Sequence, residues 1–212
     1  MREANEFVYI VDDEVNIREA LSELLRANGK QVRTFTSGQR FLQFIRRDSS
    51  ACLILDLKMP GLDGLEVQSV ISANASIPVI FLTGRGDIPS SVSAMKSGAV
   101  DFLTKPVEEK TLLASVERAL LQDRVNRQNA FEHAALLARY QTLTPREREI
   151  LSLLVEGMLN KQVAFDLGIS GYTVQIHRGH IMRKMKADSF ATLVKFAGKL
   201  SLAPLHASSR NT

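Results

Sequence analysis

The first half of the chain alternates between short apolar runs and longer stretches whose apolar residues have helical spacing. Over 15–27, for example, Ile17, Leu21 and Leu24 fall on one face of a helix. The strand-like runs are 7–11, 31–35, 51–56, 77–82 and 100–103. Continuous apolar runs are typical of parallel strands that are covered by helices on both faces. The pattern therefore predicts an α/β domain with a parallel sheet.

The second half of the chain has helical spacing and contains no strand candidate. Its first helix is predicted to begin at Thr144-Pro145-Arg146-Glu147, where Thr144 and Glu147 form a capping box around Pro145. Further helices are predicted over 159–167, from Ser170 to about Lys186, and from Asp188 or Ser189 onward. Because no Gly or Pro occurs between Val107 and Leu143, a helical linker is expected to join the halves.

Composition narrows the class of protein. A hydrophobic content of 45% over 212 residues is enough to build a core in each half. A single cysteine, Cys52, excludes an internal disulfide. No apolar stretch reaches the roughly 18 residues that span a bilayer, and the N-terminus lacks a signal-peptide pattern. We therefore expect a soluble cytoplasmic protein without a membrane partner.

The charge is uneven along the chain. Residues 1–121 hold 14 basic and 16 acidic side chains, a net charge of −2, whereas residues 122–212 hold 13 basic and 7 acidic side chains, a net charge of +6. A basic second half suggests that this half alone binds nucleic acid. Chance unevenness is the alternative interpretation.

Polar residues follow four of the strand-like runs. They are Asp12 and Asp13, Asp56, Thr83, and Lys105. Because the carboxyl ends of parallel strands meet at one edge of a sheet, these side chains are expected to converge. Acidic residues that merely cap loops are the alternative.

The converging groups suit phosphoryl transfer. Clustered carboxylates favour Mg²⁺, and the backbone carbonyl of Lys58 is a further candidate ligand. Asp56 stands alone at its strand end and is the candidate nucleophile toward phosphorus, with Asp12 and Asp13 as metal ligands. Lys105 and the hydroxyl of Thr83 would bind phosphoryl oxygens.

A short helix, a turn at Gly168 and a capped helix from Ser170 match the helix-turn-helix pattern. Gln175 can pair with adenine, and Arg178 with guanine or phosphate. Candidate residues at base edges are Tyr172, Thr173, Gln175, Ile176, Arg178 and Gly179, and candidate phosphate contacts are Lys161, Arg183, Lys184 and Lys186. A helical dimerisation bundle with a solvated basic face is the alternative.

Residues 5–122 resemble the receiver domain of bacterial response regulators. The resemblance rests on Asp12-Asp13, Asp56 with Lys58-Met59-Pro60-Gly61, Thr83-Gly84 and Lys105-Pro106. It implies a doubly wound five-stranded parallel sheet of order 2-1-3-4-5, phosphorylation by a sensor histidine kinase, and a cis Lys105–Pro106 bond. It also implies that Thr83 and Phe102 move together as a switch.

Residues 139–202 resemble the LuxR-type helix-turn-helix domain. The matching segments are 143–151, Asn160-Lys161, 167–170 and 173–177. The likeness implies that Val174, Ile181 and Leu193 are core, and that His177 is a structural residue rather than a metal ligand. A receiver, a helical linker over 123–138, this all-α domain and a disordered tail over 203–212 together resemble the NarL/FixJ class. Segments 81–84 with Gly86-Asp87, and 95–103, resemble its FixJ branch most. Within that branch, the chain is similar to StyR- and TodT-like regulators of aromatic-hydrocarbon breakdown.

The expected protein is a transcriptional response regulator, not an enzyme, that is switched by phosphorylation of Asp56. Expected partners are a sensor histidine kinase, double-stranded promoter DNA, RNA polymerase and, on phosphorylation, a second copy of the chain. The expected output is activation, with an aromatic-catabolism pathway as a candidate target. The alternatives are a phosphorylation-independent DNA-binding protein and a metal-dependent aspartyl phosphatase, although Lys58 stands where such phosphatases carry a second aspartate.

The positions two residues past Asp56 and Thr83 are unusual for receiver domains. In that family they flank the path of the water that hydrolyses the phosphate, and here they are Lys58 and Arg85. Neither is an amide or a carboxylate that could orient water, which predicts slow autodephosphorylation.

Overall fold

A computed structural model describes residues 6–45, 49–74, 77–84 and 88–202 of the chain. The chain divides into two compact units, Met1–Arg127 and Gln128–Thr212. The predicted tail over 203–212 lies outside the described residues.

The first unit contains a five-stranded parallel sheet of order β2-β1-β3-β4-β5, which confirms the predicted order. The strands are β1 (Glu6–Val11), β2 (Gln31–Phe35), β3 (Ser50–Leu55), β4 (Val79–Thr83) and β5 (Asp101–Thr104). The helices are α1 (Val15–Ala27), α2 (Gly38–Phe44), α3 (Gly64–Asn74), α4 (Ile88–Lys96) and α5 (Glu109–Gln141).

The fourth strand starts two residues later than the sequence pattern predicts. The carbonyl of Pro78 still accepts a hydrogen bond from the amide of Leu53, at 2.9 Å. Proline has no N–H to donate to the ladder, however, so regular pairing with β3 starts at Val79 opposite Leu53.

Helices cover both faces of the sheet. Successive side chains of a strand point to opposite faces, so each strand contributes to both cores. Val8 and Ile10 of β1 pack with residues of α1 and α5. Tyr9 and Val11 pack on the other face with residues of α2, α3 and α4. Burial raises the pKa of the Cys52 thiol, so this cysteine is an inert core residue.

Helix α5 is unusually long at 33 residues, and the segment 123–138 lies within it. Its first part covers the sheet, whereas Leu136 belongs to the core of the second unit. The absence of Gly and Pro between Val107 and Leu143 allows the helix to continue without a break.

The second unit is helical. After the end of α5 it contains α6 (Pro145–Val155), α7 (Asn160–Asp166), α8 (Gly171–Met185) and α9 (Phe190–Lys199). The predicted capping box at Thr144 and Glu147 is present. Val174, Ile181 and Leu193 are fully buried, which confirms them as core residues. Among the described residues, no helix combines the length and apolar character that crossing a membrane requires.

Candidate functional site

The sheet brings the predicted polar residues of the first unit to one edge. Asp12 directly follows β1, Asp56 follows β3, Thr83 ends β4, and Lys105 follows β5. Asp12, Asp56 and Thr83 are buried, whereas Asp13 is exposed. A buried carboxylate pair is costly unless a cation compensates it, so the neighbours of these groups decide the chemistry.

The amine of Lys105 is that cation. Its Nζ lies 2.7 Å from Oδ2 of Asp12 and 3.3 Å from Oδ2 of Asp56. It also lies 3.2 Å from Oε1 of Glu14, a partner that the sequence pattern did not indicate. Glu14 follows the strand-end pair by one residue, and only the direction of its side chain brings it to Lys105.

Burial and the charge of the salt-bridge partner have opposite effects on the pKa values of Asp56 and Lys105. Burial raises the pKa of Asp56 and the nearby carboxylate of Asp12 raises it further, while Lys105 acts in the opposite direction. Burial alone would lower the pKa of Lys105, but its hydrogen bond to Asp12 and the two carboxylate charges outweigh this and raise it. Lys105 is therefore held as an ammonium group, ready to pair with anionic oxygens.

The backbone holds Asp56 firmly in place. Its amide donates to the carbonyl of Val11, at 2.9 Å, and its Oδ1 accepts from the amide of Lys58, at 3.4 Å. A Cβ on Gly64 would lie only 2.5 Å from the carbonyl oxygen of Asp56. The loop after β3 therefore packs directly against the start of α3, with glycine as the residue that permits this approach.

The turn after β5 is fixed in the same way. The amide of Lys105 donates to the carbonyl of Thr83 at 2.8 Å, which ties the lysine to the end of β4. The Lys105–Pro106 bond is cis, as the resemblance implies. Phe102 is half-buried, and its ring centroid lies 6.1 Å from that of Phe81 in β4.

The acidic residues at this edge have the donor chemistry of a cation site. Asp12, Asp13 and Asp56 can each present a carboxylate oxygen within 4.8 Å of the others. Hard oxygen donors of this kind suit Mg²⁺, which keeps several waters and takes few protein ligands. Lys105 already places positive charge against two of these carboxylates, which shows that the edge favours a cation. Of the two unusual positions, Lys58 is exposed and Arg85 lies outside the described residues.

In the second unit, α7 and α8 form the predicted helix-turn-helix. Ser170 caps α8, with its hydroxyl accepting from the amide of Thr173 at 3.0 Å. Gly168 has a φ of +61° in the turn, a conformation that favours glycine. Along α8, Tyr172, Gln175, Ile176, Gly179 and Arg183 are exposed.

Two of the predicted DNA-contacting residues, Arg178 and Gln175, contact other residues of the second unit. The guanidinium of Arg178 lies 4.6 Å from the ring centroid of Phe190 and 3.4 Å from Oδ1 of Asn160. Asn160 also donates to Gln175 at 2.9 Å, so it orients two predicted contact residues. Asn160 belongs to a segment that carries the LuxR-type resemblance, but the sequence pattern alone indicates no contact for it.

Lys184 is also held in an internal contact. Its Nζ lies 2.7 Å from Oε2 of Glu147 and 3.3 Å from the carbonyl of Thr142. Burial opposes ionisation of Glu147, but the hydrogen bonds from Lys184 and Thr144 outweigh it and hold the pKa of Glu147 below its ordinary value. Lys184 is therefore part of the packing between α6 and α8 in the free protein.

Both halves of the chain match known protein families. Residues 8–117 match the response regulator receiver domain, and residues 141–197 match the family of bacterial regulatory proteins named luxR. The chain is 44% identical over 194 residues to the response regulator protein TodT of Pseudomonas putida, covering 91% of this chain and 86% of TodT. It is 41% identical over 191 residues to the transcriptional regulatory protein FixJ of Rhizobium meliloti (strain 1021), covering 90% and 94% of the two chains.

A solved structure of the response regulator StyR is similar over the same span. It is 42% identical and gives a TM-score of 0.80. The matched region covers 92% of this chain and 100% of the StyR chain. The acidic edge lies within the matched receiver, and the exposed face of α8 lies within the matched luxR segment. The chain therefore belongs to the response regulators that join a receiver domain to a LuxR-type DNA-binding domain, and it is a transcriptional regulator of a two-component system.

Proposed function

We propose that phosphorylation of Asp56 by a sensor histidine kinase switches the chain to a form that binds a two-fold promoter site. The observation that carries the proposal is the contact of Lys105 with the buried carboxylates of Asp12 and Asp56 at one sheet edge. The proposed domains are a receiver over 5–122, a linker over 123–138 and a DNA-binding domain over 139–202.

Asp56 is the proposed nucleophile. Its carboxylate oxygen attacks the phosphorus of the kinase's phosphohistidine, a P–O bond forms, and the P–N bond breaks with its electron pair leaving on nitrogen. Mg²⁺, when held by Asp12, Asp13, Asp56 and the backbone carbonyl of Lys58, would neutralise negative charge around the phosphoryl group.

Lys105 and Thr83 are the proposed readers of the phosphoryl group. The Lys105 ammonium would turn from Asp12 and Asp56 toward one phosphoryl oxygen, and the Thr83 hydroxyl would donate to another. Because Lys105 is tied to the end of β4 through its amide, the two movements are coupled. Phe102 lies beside β4 and is the proposed second part of this switch.

The exposed face of α8 is the proposed DNA reader. Tyr172, Thr173, Ile176 and Gly179 would lie at base edges, with Gln175 and Arg178 released from Asn160 to bind bases or phosphate. Lys161, Arg183, Lys184 and Lys186 would contact phosphates. Two copies on a two-fold site match protein symmetry to half-site symmetry. The DNA-bound dimer is further proposed to recruit RNA polymerase and to activate transcription. Its proposed target is an aromatic-catabolism pathway.

The direct test is promoter binding with and without phosphorylation. In the presence of an acyl phosphate and Mg²⁺, affinity for the promoter should rise by roughly 5–150-fold, the usual range for coupled sites. Asp56→Asn should abolish the gain, because an amide cannot accept the phosphoryl group. Asp63→Asn is the matched control, since Asp63 is exposed and its carboxylate accepts a hydrogen bond from the first turn of α3. Equal gains in wild type and Asp56→Asn would exclude the switch.

Slow autodephosphorylation is a second expected property. Lys58 is exposed beside Asp56 but offers no acceptor that could orient the attacking water. The phosphorylated protein should therefore persist well beyond seconds, and Lys58→Asn, which supplies an amide, should shorten its lifetime. The decay of radiolabelled phosphoprotein measures both, and a lifetime of seconds in the wild type would contradict the expectation.

A further inference from the structure

Two histidines on α8 meet a buried glutamate of α6. His177 and His180 are one helical turn apart and so project from the same side of α8. Together with Glu147 they can present three ligand atoms within 4.8 Å of one another. The receiver chemistry does not involve this cluster, and the proposed DNA contacts omit all three residues.

Hydrogen bonds within the protein already fix the orientation of the Glu147 carboxylate. One carboxylate oxygen, Oε2, accepts from the amide of Thr144 at 2.8 Å and from Nζ of Lys184 at 2.7 Å. The other oxygen, Oε1, faces Nδ1 of His180 at 3.9 Å, too long for a hydrogen bond. A carboxylate that ligates a metal through one oxygen typically has hydrogen bonds from the protein that hold its orientation.

The family resemblance implies a structural role for His177 rather than metal binding, but its surroundings in the structure point to a further role. Its Nδ1 is buried, and no group among the described residues lies within hydrogen-bonding reach of it. A buried nitrogen without a partner costs free energy, and such groups in folded proteins call for an explanation. The imidazole of His177 is therefore not committed through this nitrogen to a described neighbour.

The donors define the class of ligand. Two imidazoles and one carboxylate suit borderline divalent ions such as Zn²⁺, Ni²⁺ and Cu²⁺, whereas Mg²⁺ prefers oxygen donors alone. Bonds of ~2.0–2.1 Å place the ligand atoms of tetrahedral Zn²⁺ roughly 3.3 Å apart. Small side-chain rotations would therefore close the cluster, and water would take the fourth position.

Lys184 is the main competitor of a metal ion here. Its ammonium group lies against Glu147, and a second cation nearby would be repelled. Lys184 is partly exposed and, of the two carboxylate oxygens of Glu147, bonds only Oε2, so it can swing toward solvent while Oε1 turns to the metal. The cluster is therefore expected to bind a metal reversibly rather than as a permanent structural site.

We propose that Glu147, His177 and His180 form a site for a borderline divalent metal ion that clamps α8 to α6. The proposal is independent of the phosphorylation switch, because all three residues lie in the second unit. The clamp would hold the helix that carries the predicted base contacts.

The test is zinc binding by the full-length protein in excess Mg²⁺, so that the aspartates of the receiver are occupied. Calorimetry should detect one Zn²⁺ site whose affinity falls at least about tenfold in His180→Gln, which removes one of three ligands. His180 is exposed, so this variant is expected to fold. His133→Gln is the matched control, since His133 is an exposed histidine of α5 outside the cluster.

Imidazole NMR signals provide a second readout in the same samples. Zn²⁺ should shift the ring nitrogens of both His177 and His180, and it should raise the thermal midpoint of the wild type but not of His180→Gln. Zinc binding that is equal in wild type and His180→Gln, or that leaves both imidazole signals unmoved, would overturn the proposal.

Discussion

Single residues in this protein take their chemistry from a few close neighbours. Asp56 and Lys105 have ordinary side chains, but burial and each other's charge change how readily each one ionises. Lys105 spans three carboxylates from a turn that a backbone hydrogen bond ties to β4. The proposed phosphoacceptor is thus placed where its cation is already present before any phosphate arrives.

Asp188 gives a residue-scale prediction that depends on pH. A hydrogen bond from the Thr192 hydroxyl, at 2.6 Å, holds the pKa of Asp188 below its ordinary value of 3.8. Because the folded pKa is lowered, this group stabilises the fold above pH 3.8, and the contribution is lost as pH falls through the folded pKa. Titration of the Asp188 carboxyl carbon by NMR should show the lowered pKa.

Two substitutions of Thr192 separate the cause of this shift. Thr192→Val removes the hydroxyl and should raise the pKa of Asp188 toward its ordinary value, while Thr192→Ser keeps the hydroxyl and should leave the pKa low. An unchanged titration in Thr192→Val would show that another group causes the shift.

At the scale of elements, helix ends and turns follow local rules closely. Ser37, Thr144, Ser170 and Ser189 each accept a hydrogen bond from an amide in the first turn of their helix. The caps at Thr144, Ser170 and Ser189 explain why the predicted starts of α6, α8 and α9 agree with the structure to within a residue or two. The Ser189 cap also decides between the two predicted starts of α9.

Gly179 gives an element-scale prediction. A Cβ at this position would meet nothing within 4 Å in the free protein, so Gly179→Ala should stabilise α8 by about 0.5–1 kcal/mol. If the glycine permits close approach to DNA, the same change should weaken promoter binding by roughly tenfold, about 1.4 kcal/mol. Urea unfolding and promoter titration measure the two effects.

Gly198 is the matched control for this test. It lies in α9, and an added Cβ would also meet nothing within 4 Å. Gly198→Ala should therefore give a similar gain in stability and no change in promoter affinity. Equal promoter affinity for Gly179→Ala and wild type would remove Gly179 from the proposed DNA contacts.

At the scale of the whole molecule, the proposed switch acts through association. Phosphorylation is expected to create a dimer that matches a two-fold promoter site. The mass in solution should rise from 23.5 kDa toward twice that value when an acyl phosphate and Mg²⁺ are added. Light scattering measures this change, and Asp56→Asn should stay at the lower mass. A wild type that is dimeric before phosphorylation, or monomeric after it, would contradict the proposal.

Much of the fold was predictable because strand and helix patterns are local. The apolar runs, the caps and the capping box at Thr144 all depend on residues within a few positions of one another. The start of β4 was less predictable, since it depends on pairing with β3 and on the missing amide of Pro78. The convergence of Asp56, Thr83 and Lys105 followed from the general rule that parallel strands end at one edge.

The sequence by itself determined the alternation of strands and helices, the helix caps and the polar residues at the strand ends. Only the tertiary structure decided that Lys105 contacts Asp12, 93 residues away, and Glu14 beside it. The tertiary structure alone brings Glu147 close to His177 and His180. It also pairs Lys184 with Glu147 and Arg178 with Asn160. The physical reason is distance along the chain: periodicity reports each residue's local face, whereas these contacts depend on how separate elements pack.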